Sequence, residues 1–351
     1  MSHERSFNRN NPAITVIIPV FNRKQYLERA LISIQEQSLN KNLFETIVIK
    51  NFIDDKLDLK IASFGYKNMF FEGNMGGRLF TAINESKGDI ISFLQDDDLF
   101  VKDKLEIIYK ILSENVGICF VSNGYIEIDE NGLDIDSVKK KHDLEQVLFS
   151  ENEKKEFSNI CYMIKNGYDF NLSSISIRKD ALSPYLYELN KINGSDDSFF
   201  FFVSLFASGS LIRMNAPLTK YRVHNSATAK SGSMNDVLRA NYLTFTRQIA
   251  TFSILKNLSQ ANTFSTILEE GIISRRVAID ICSPYRSTIK DSVINILFLI
   301  SHHHSIKKKY IVKLILEYIT TIISKEVGKR LYYYYNQKKY MRIGGRTNEK
   351  Y

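Results

Sequence analysis

The sequence predicts an α/β protein in which helices flank a mixed, mainly parallel sheet, followed by a C-terminal α-helical region. Between residues 14 and 114, short β-branched runs alternate with segments of helical periodicity, a pattern typical of parallel sheets covered by helices. After about residue 230, helical periodicity dominates and glycine becomes sparse. We therefore expect a tail at residues 1–12, a sheet domain at residues 13–230 and a helical region at residues 231–351.

The first strands are predicted by short apolar runs. "ITVII" at residues 14–18, closed by Pro19, predicts a buried strand. Asn22 then predicts the N-cap of a helix, and four apolar residues of that helix share one face: Leu27, Ala30, Leu31 and Ile34. "TIVI" at residues 46–49 and "NMFF" at residues 68–71 predict two further strands.

Three consecutive aspartates follow the next predicted strand. Two glycines at residues 76–77 open a second helix, and Gly88 is expected to end it in the left-handed conformation. "DIISFL" at residues 89–94 predicts a strand that delivers residues 96–98, "DDD", and a helix follows at residues 102–114. Because such sheets bind ligands at the carboxyl ends of their strands, the aspartates are expected to face a ligand.

The middle of the chain is less regular. Asn131-Gly132 between alternating apolar residues predicts a hairpin at residues 125–136. Residues 137–170 are expected to form a loop with a helix, residues 171–177 a strand, and residues 196–207 a helix. "SLIRM" and "LTKYRV" predict two more extended segments.

Composition excludes several classes of protein. The chain has 351 residues, 25% of them charged and 44% hydrophobic, with a formal net charge of +8, and these values are ordinary for a globular protein. Three separated cysteines and a polar first segment without a signal-peptide core lead us to expect a cytoplasmic protein. The positive charge suits nucleic acid, an anionic membrane or a phosphorylated substrate. No stacking motif or groove-reading helix accompanies it, so nucleic acid is not an expected partner.

Two groups of acids have the composition of a catalytic site. Asp96, Asp97 and Asp98 supply the oxygen ligands that Mg²⁺ or Mn²⁺ prefers when a diphosphate shares the ion. The alternative is a polar turn that starts a helix. Asp196 and Asp197 begin an apolar helix, where they either stabilise the helix N-terminus or provide a general base.

Basic residues follow in "LTKYRVHNSA". Arg222 and His224 share one face of the predicted strand. Arg222 has the fork geometry that pairs with phosphate, and His224 could ligate a metal or contact phosphate. A purely structural role is the alternative for a single histidine on a strand.

Taken in order, these segments resemble the family 2 glycosyltransferases of the GT-A fold. The resemblance covers about residues 13–228. It is carried by five motifs in matching order and spacing: "VIIPVFNR" (16–23), "EGNMGG…AINESKGDIISFLQDDD" (72–98), "SSISIRKDAL" (173–182), "GSDDSFFFFVSLFASG" (194–209) and "YRVHNSA" (221–227).

This resemblance implies a transferase that uses a nucleotide-diphosphate sugar and Mg²⁺ or Mn²⁺, with inversion at the anomeric carbon. It implies Asp97 as the main metal ligand, His224 beside the metal, Asp197 as the catalytic base and Asp196 as its neighbouring acid. The nucleotide-sugar-binding residues implied by the same motifs are Pro19, Phe21, Asn22, Asn74, Gly76, Asp96, Asp98 and Arg222. The expected acceptor is a saccharide or a lipid-linked molecule, in cell-surface polysaccharide or glycolipid assembly.

The sequence departs from the family pattern at two places. Lys50 and Asn51 stand after the second strand, where an acid usually contacts the nucleotide base, and Gln95 stands where the metal motif usually begins with Asp. Two alternatives therefore stay open: a catalytically degenerate nucleotide-sugar-binding protein, and a sugar nucleotidyltransferase. The second would have a Gly-rich loop after the first strand, whereas "PVFNRKQ" contains no glycine.

The C-terminal region combines apolar helices with basic clusters. Lys307, Lys308 and Lys309 lie between two apolar segments, and further basic residues follow the tyrosine run. Such segments can lie on an anionic membrane surface. A helical packing domain with a solvated basic face is the alternative.

Overall fold

The computed structural model describes residues 11–135, 145–223, 233–259, 262–283, 288–302 and 304–344. Two compact units are distinguished: Met1–Lys155 together with Tyr168–Arg222, and Glu156–Gly167 together with Val223–Tyr351. The domain boundary expected between residues 230 and 231 lies outside the described residues, as do most of the expected N-terminal tail and His224.

In the described residues, nine strands of the first unit form a single sheet. They are β1 (Ile14–Val20), β2 (Phe44–Lys50), β3 (Lys67–Phe70), β4 (Ile90–Phe93), β5 (Leu99–Phe100), β6 (Ile118–Ile128), β7 (Gln146–Phe149), β8 (Ile175–Arg178) and β9 (Ser210–Arg222). The strand order is β3-β2-β1-β4-β8-β6-β9-β5, and β7 also pairs with β9. The first four strands of this order are parallel, whereas β8 runs antiparallel to both of its neighbours.

The helices of the first unit are α1 (Leu27–Gln35), α2 (Asp55–Ser63), α3 (Met75–Asn84), α4 (Lys104–Glu114), α6 (Lys179–Leu182), α7 (Leu186–Leu189) and α8 (Asp196–Phe206). Those of the second unit are α5 (Phe157–Lys165), α9 (Met234–Leu258), α10 (Asn262–Cys282), α11 (Ile289–Ser301), α12 (Lys308–Ile323) and α13 (Lys325–Gly344). The mixed, mainly parallel α/β fold and the helical C-terminal region predicted from the sequence are confirmed.

The register of the parallel strands brings their carboxyl ends to one edge of the sheet. Ile17 of β1 pairs with Phe93 of β4, and Val20 of β1 pairs with Lys50 of β2. Every residue of β1 and β4 is buried, as expected for central parallel strands covered on both faces. The polar segments after β1, β2 and β4 therefore leave the core at the same edge.

Two expected helix ends are wrong. Helix α1 begins at Leu27 with Tyr26 as its N-cap, whereas Asn22 adopts a left-handed φ of 52°. Helix α3 ends at Asn84, and Gly88 does not have positive φ. A Cβ on Gly88 would lie 2.5 Å from the backbone nitrogen of Thr15, so glycine is required there by a close approach to the backbone of β1 rather than by a helix cap.

Three further elements differ from the expectation. The strand expected at residues 171–177 begins at Ile175, after a 3-10 turn at Leu172–Ser174. The two extended segments expected after residue 209 are one strand, β9. Helix α2 is not among the predicted elements, although Asp54 caps it by accepting a hydrogen bond from Leu57 N at 3.0 Å.

The second unit has its own apolar core. Leu299 of α11, Ile311 and Tyr318 of α12 and Val277 of α10 belong to one buried cluster. Ser305 N and Ile306 N, between α11 and α12, donate to the buried carboxylate of Glu270 on α10. In the described part of the chain, no helix is long and apolar enough to cross a membrane.

Gly76 provides a test of the packing of α3 against the segment after α7. A Cβ built on Gly76 lies 1.9 Å from the carbonyl oxygen of Leu189 and 2.7 Å from that of Ile192. Since both are backbone atoms, Gly76→Ala should lower the free energy of unfolding by about 3 kcal/mol, measured by urea denaturation. Gly117→Ala is the control, because nothing lies within 4 Å of a Cβ there. Equal stability of the two variants would contradict this packing.

Candidate active site

Three aspartates follow β4 in a turn, and their side chains differ in exposure. Asp96 and Asp98 are 3% and 1% exposed, and the side chain of Asp97 between them is 14% exposed. Asp96 and Asp97 occupy a turn that is closed by a hydrogen bond from Asp98 N to the carbonyl oxygen of Gln95 at 3.2 Å. The accessible carboxylate of Asp97 is therefore the one turned toward solvent.

Arg23, after β1, binds two of the three carboxylates. Its Nη2 lies 2.5 Å from Asp96 Oδ1 and its Nη1 lies 2.8 Å from Asp97 Oδ2. Burial and then repulsion by Asp97 raise the pKa of Asp96 to about 7, although Arg23 acts in the opposite direction. The guanidinium thus stabilises two adjacent negative charges that would otherwise repel each other.

Asp98 is held by the end of β9. Arg222 N donates to Asp98 Oδ1 at 2.9 Å, and Arg222 Nε donates to the carbonyl oxygen of Asp97 at 2.7 Å. Burial and then repulsion by Asp97 raise the pKa of Asp98 to about 8. The guanidinium of Arg222 also donates to the carbonyl oxygens of Asp129 and Glu130, so in this structure it orders the aspartate loop.

The second acid pair lies at the start of α8. Asp197 Oδ1 accepts from Ser198 N at 2.8 Å, and Asp197 Oδ2 accepts from Asn171 N at 3.3 Å. Burial and then repulsion by Asp197 raise the pKa of Asp196 to about 7, and Asp196 Oδ2 is buried with no hydrogen-bond partner among the described residues. The two carboxyl groups therefore have different environments, and the hydrogen bonds favour the negative charge on Asp197.

A short segment before β8 connects the two groups of acids. Asn171, with a left-handed φ of 69°, contacts Asp197. Ser173, two residues later, accepts from Gln95 N at 2.9 Å through its hydroxyl. Burial raises the pKa of Tyr221, and the carboxylates of Asp98, Asp97 and Asp197 raise it further. The segment of Asn171 and Ser173 therefore contacts Asp197 of α8 on one side and the loop after β4 on the other.

Residues expected to bind the nucleotide lie at the same sheet edge. Pro19 is buried in β1, and the ring of Phe21 is half exposed, with the Arg78 guanidinium 5.0 Å from its centroid. Asn22 N donates to Asn51 Oδ1 at 3.0 Å, and Asn51 Nδ2 donates to Asn22 Oδ1 at 2.8 Å. The loops after β1 and β2 are thereby joined beside an accessible aromatic ring.

The remaining expected residues have structural contacts. Asn74 caps α3 through Gly77 N at 2.6 Å, and its Nδ2 donates to the carbonyl oxygen of Asn190. Gly76 N donates to the carbonyl oxygen of Ile192 at 3.1 Å. These contacts fix the N-terminus of α3 against the chain after α7.

Lys50 occupies the place where the family pattern has an acid. It is buried, with its Nζ 2.8 Å from Asp58 Oδ1 and donating to the carbonyl oxygen of Phe52 at 2.8 Å. Its charge is therefore balanced by α2. Asn51 is the residue at this strand end that contacts the loop after β1.

The acids after β4 have the donor chemistry for a hard divalent cation. Asp96 Oδ2 and Asp98 Oδ2 are buried with no hydrogen-bond partner among the described residues, and such cations prefer carboxylate oxygens. Within the same residues, no cluster of three or more His, Cys, Asp and Glu side chains has metal-binding geometry. His224 lies outside them. The carboxylates thus fit a metal whose coordination is completed by other groups, such as a diphosphate.

A separate cavity of about 760 Å³ is lined by residues at the starts of β6 and β9, including Gly117 and Ser210, and by Arg178 at the end of β8. Arg178 Nε donates to the carbonyl oxygen of Ile118 at 2.7 Å, and Nη2 donates to that of Leu112. Since Arg178 lies next to Ile90 at the start of β4, this cavity is at the opposite edge from the aspartates. The guanidinium of Arg178 in this cavity is therefore already hydrogen-bonded to backbone carbonyl oxygens.

Comparison with known proteins shows similarity in fold and in sequence. In structure, the chain is similar to Staphylococcus aureus TarS 1-349 in complex with UDP-GlcNAc, with a TM-score of 0.51 and 15% identity over 94% of this chain and 91% of that one. The fold is that of a GT-A glycosyltransferase. Residues 15–171 match the model of the family described as "Glycosyl transferase family 2".

The curated relatives are also glycosyltransferases by name. An uncharacterized glycosyltransferase of Rickettsia conorii, RC0461, is 38% identical over 37% of this chain, which spans 22% of that protein. Abequosyltransferase RfbV of Salmonella typhimurium is 25% identical over 73% of this chain and 79% of its own length. GalNAc(5)-diNAcBac-PP-undecaprenol beta-1,3-glucosyltransferase of Campylobacter jejuni is 29% identical over 40% of this chain and 49% of its own length.

Sequence reasoning missed three residues of the candidate site. Arg23 is part of "VFNR", but only its place next to the strand end could have suggested a contact with acids 73 positions away. Asn171 and Ser173 are small polar residues with no charge or spacing to mark them. Their roles depend on the antiparallel placement of β8, which the sequence did not indicate.

The raised pKa of Asp196 predicts a pH-dependent effect of its removal. A carboxyl whose pKa is raised by folding binds its proton more tightly in the folded state, so the free energy of unfolding falls as pH rises from about 4 to about 7. Asp196→Asn has no proton to lose. At pH 8 it should be more stable than the wild type, on the order of 2 kcal/mol, and at pH 4 this advantage should vanish.

Thermal denaturation across this pH range measures the difference. Asp55→Asn is the matched control, because Asp55 is the exposed first residue of α2 as Asp196 is the first residue of α8. A stability difference for Asp196→Asn that stays constant from pH 4 to pH 8 would show that burial does not perturb this carboxyl.

Proposed function

We propose that this protein is an inverting, metal-dependent glycosyltransferase that moves a sugar from a nucleotide-diphosphate sugar to an acceptor hydroxyl. The observation that carries this proposal is that one short segment, residues 171–173, contacts both acid groups: Asn171 N donates to Asp197 at the start of α8, and Ser173 accepts from Gln95 N in the loop after β4. Displacement at an anomeric carbon needs one group to stabilise the leaving diphosphate and another to remove a proton on the opposite side. Two separate groups of carboxylates meet that requirement.

The donor would bind at the edge formed by the loops after β1 and β2. The half-exposed ring of Phe21 offers a stacking surface for a base, and the Asn22–Asn51 pair offers amide groups beside it. Pro19, Asn74 and Gly76 would shape this pocket by holding the backbone in place. Asn51 would take the part that an acid has in the usual family pattern.

The diphosphate would lie against the aspartates. Asp97 would be the main metal ligand, with Asp96 or Asp98 beside it, and His224 is proposed as a further ligand. A bound Mg²⁺ or Mn²⁺ would supply positive charge to the departing diphosphate. Arg23 already binds Asp96 and Asp97, and as donor phosphates arrive its guanidinium is placed to contact them, together with Arg222.

Asp197 is proposed as the general base. Its carboxylate accepts hydrogen bonds from Ser198 N and Asn171 N, which favour the charged form that can take a proton from the acceptor hydroxyl. With its pKa raised to about 7, Asp196 is protonated below neutral pH and leaves the negative charge of the pair on Asp197. This separation of roles between adjacent carboxyl groups is a common basis for acid–base catalysis.

We further propose that the acceptor is a saccharide or lipid-linked molecule and that the reaction belongs to cell-surface polysaccharide or glycolipid assembly. The proposed place of action is the cytoplasmic face of a membrane. The names of the Salmonella and Campylobacter relatives support this choice, since one is an abequosyltransferase and the other is a glucosyltransferase named for an undecaprenol-linked acceptor.

Replacement of the proposed base tests catalysis directly. Asp197→Asn should lower kcat by about 10²- to 10⁴-fold while leaving donor affinity unchanged, measured by initial rates and by calorimetric titration with the donor. The control is Glu106→Gln, which changes an exposed acid in the first turn of α4. Full turnover in Asp197→Asn would assign the base to another residue, whereas a wild type that binds the donor without turnover would favour the binding-protein alternative.

A thermal-shift series tests the donor and the metal together. Each nucleoside diphosphate is added with and without Mn²⁺, and the matching base should raise the melting temperature further when Mn²⁺ is present. Saturation at about 100 times Kd corresponds to about 2.7 kcal/mol of stabilisation. Asp97→Asn should remove the increment due to Mn²⁺. An increment retained in that variant would assign the metal to other residues.

A further inference from the structure

The outer faces of α11 and α12 are aliphatic where surface helices are usually charged. On α11 the exposed apolar residues are Val293, Ile294, Leu297 and Ile300, and on α12 they are Val312, Leu316, Ile319 and Ile323, each between 39% and 78% exposed. Within each helix they recur every three or four residues, so they form one stripe. The opposite faces, which include Leu299, Ile311, Leu314 and Tyr318, belong to the buried core.

The two stripes form a common surface, which we name the aliphatic face. Helices α11 and α12 pack against each other and both contact α10. Because their inner sides share one core, their outer stripes lie next to each other. Soluble monomers rarely leave a continuous apolar patch of this extent uncovered, and such patches usually mark a protein or membrane contact.

Charge at the edge of the aliphatic face identifies the partner. Lys307, Lys308 and Lys309 are exposed at the start of α12, and Lys290 is exposed at the start of α11. The acids on these helices are engaged: Asp291 accepts from Thr288 in the α11 cap, and Glu317 is buried beside Lys313. An aliphatic face bordered by lysines complements a hydrocarbon layer covered by anionic headgroups.

A second copy of the chain fits this surface less well. An isologous dimer through the aliphatic face would join two surfaces that both carry clustered lysines and, in the described parts of α11 and α12, few exposed acids. The face is also made only of Val, Leu and Ile, whereas protein interfaces are enriched in aromatic residues, Met and Arg. Tyr310, beside the lysines and 45% exposed, has the amphipathic character of interfacial membrane residues.

Helix length determines the mode of contact. At 1.5 Å per residue, the 13 residues of α11 and the 16 residues of α12 extend about 20 Å and 24 Å, less than the ~30 Å of a bilayer core. We infer that α11 and α12 lie flat in the headgroup region of an anionic lipid bilayer, with the aliphatic face inserted and Lys307–Lys309 on the phosphates. This inference rests on the proposed function for its purpose, which is access to a lipid-linked acceptor.

Vesicle flotation tests the inference with the full chain. The wild type should float with vesicles of 30% phosphatidylglycerol and 70% phosphatidylcholine at low salt, and it should stay unbound with pure phosphatidylcholine. Leu297→Ser with Leu316→Ser should weaken binding at least fivefold. The triple change of Lys307, Lys308 and Lys309 to Gln should weaken it by about 100-fold, at about fivefold for each lysine.

The control is Leu59→Ser with Leu148→Ser, because these leucines of the first unit are 74% and 56% exposed and resemble the test pair in size and accessibility. It should bind vesicles as the wild type does. All variants should keep the wild-type melting temperature, since the changed side chains are exposed. Failure of the wild type to float, or equal loss in the control, would overturn the inference.

Two further readouts separate this inference from the proposed function. Asp197→Asn should float as the wild type does, because its change lies in the first unit. A dimer that Leu297→Ser with Leu316→Ser dissociates, seen by light scattering without vesicle binding, would assign the aliphatic face to a second copy and overturn the lipid assignment. Turnover on a soluble acceptor would then still support the proposed transfer reaction.

Discussion

The accumulation of negative charge at the carboxyl end of β4 is the constraint that organises the first unit. Asp96 and Asp98 are buried next to a third carboxylate, an arrangement that burial and repulsion both disfavour. Arg23, in the loop after β1, and the backbone amide of Arg222 at the end of β9 offset part of that cost. The strand order brings the ends of β1 and β9 to this edge, and it therefore also lowers the free-energy cost of burying the acidic loop.

Much of the fold could be predicted because its strongest signals are local. Short apolar runs indicate the strands β1, β2 and β4. Helical periodicity indicates α1 and α3. Gly88 shows the limit of such reasoning: its small size is required by the backbone of Thr15, which is distant in sequence. The antiparallel placement of β8 and the continuity of β9 likewise depend on pairing partners that local patterns do not reveal.

The acidic residues of the candidate site could be proposed from the sequence, whereas the residues that contact them could not. Charged residues at strand and helix ends are visible in a sequence, which is why Asp97 and Asp197 could be proposed as candidate site residues. Arg23, Asn171 and Ser173 contact those acids only because distant segments meet, and no local pattern distinguishes them from ordinary polar residues. Lys50 is visible in the sequence as a departure from the family pattern, but its partner is not. The positive charge of Lys50 is balanced by Asp58 on the neighbouring helix α2.

Strand β9 determines when the site can form during synthesis. It pairs with β6, β7 and β5, and its last residue, Arg222, provides the amide that Asp98 accepts from across 124 positions. A nascent chain that has released β1 to β4 from the ribosome still lacks this strand, and one edge of β6 stays unpaired. Translation must therefore pass residue 222 before the aspartate loop gains its final hydrogen bonds, so the sheet of the nascent first unit is complete only once β9 is added.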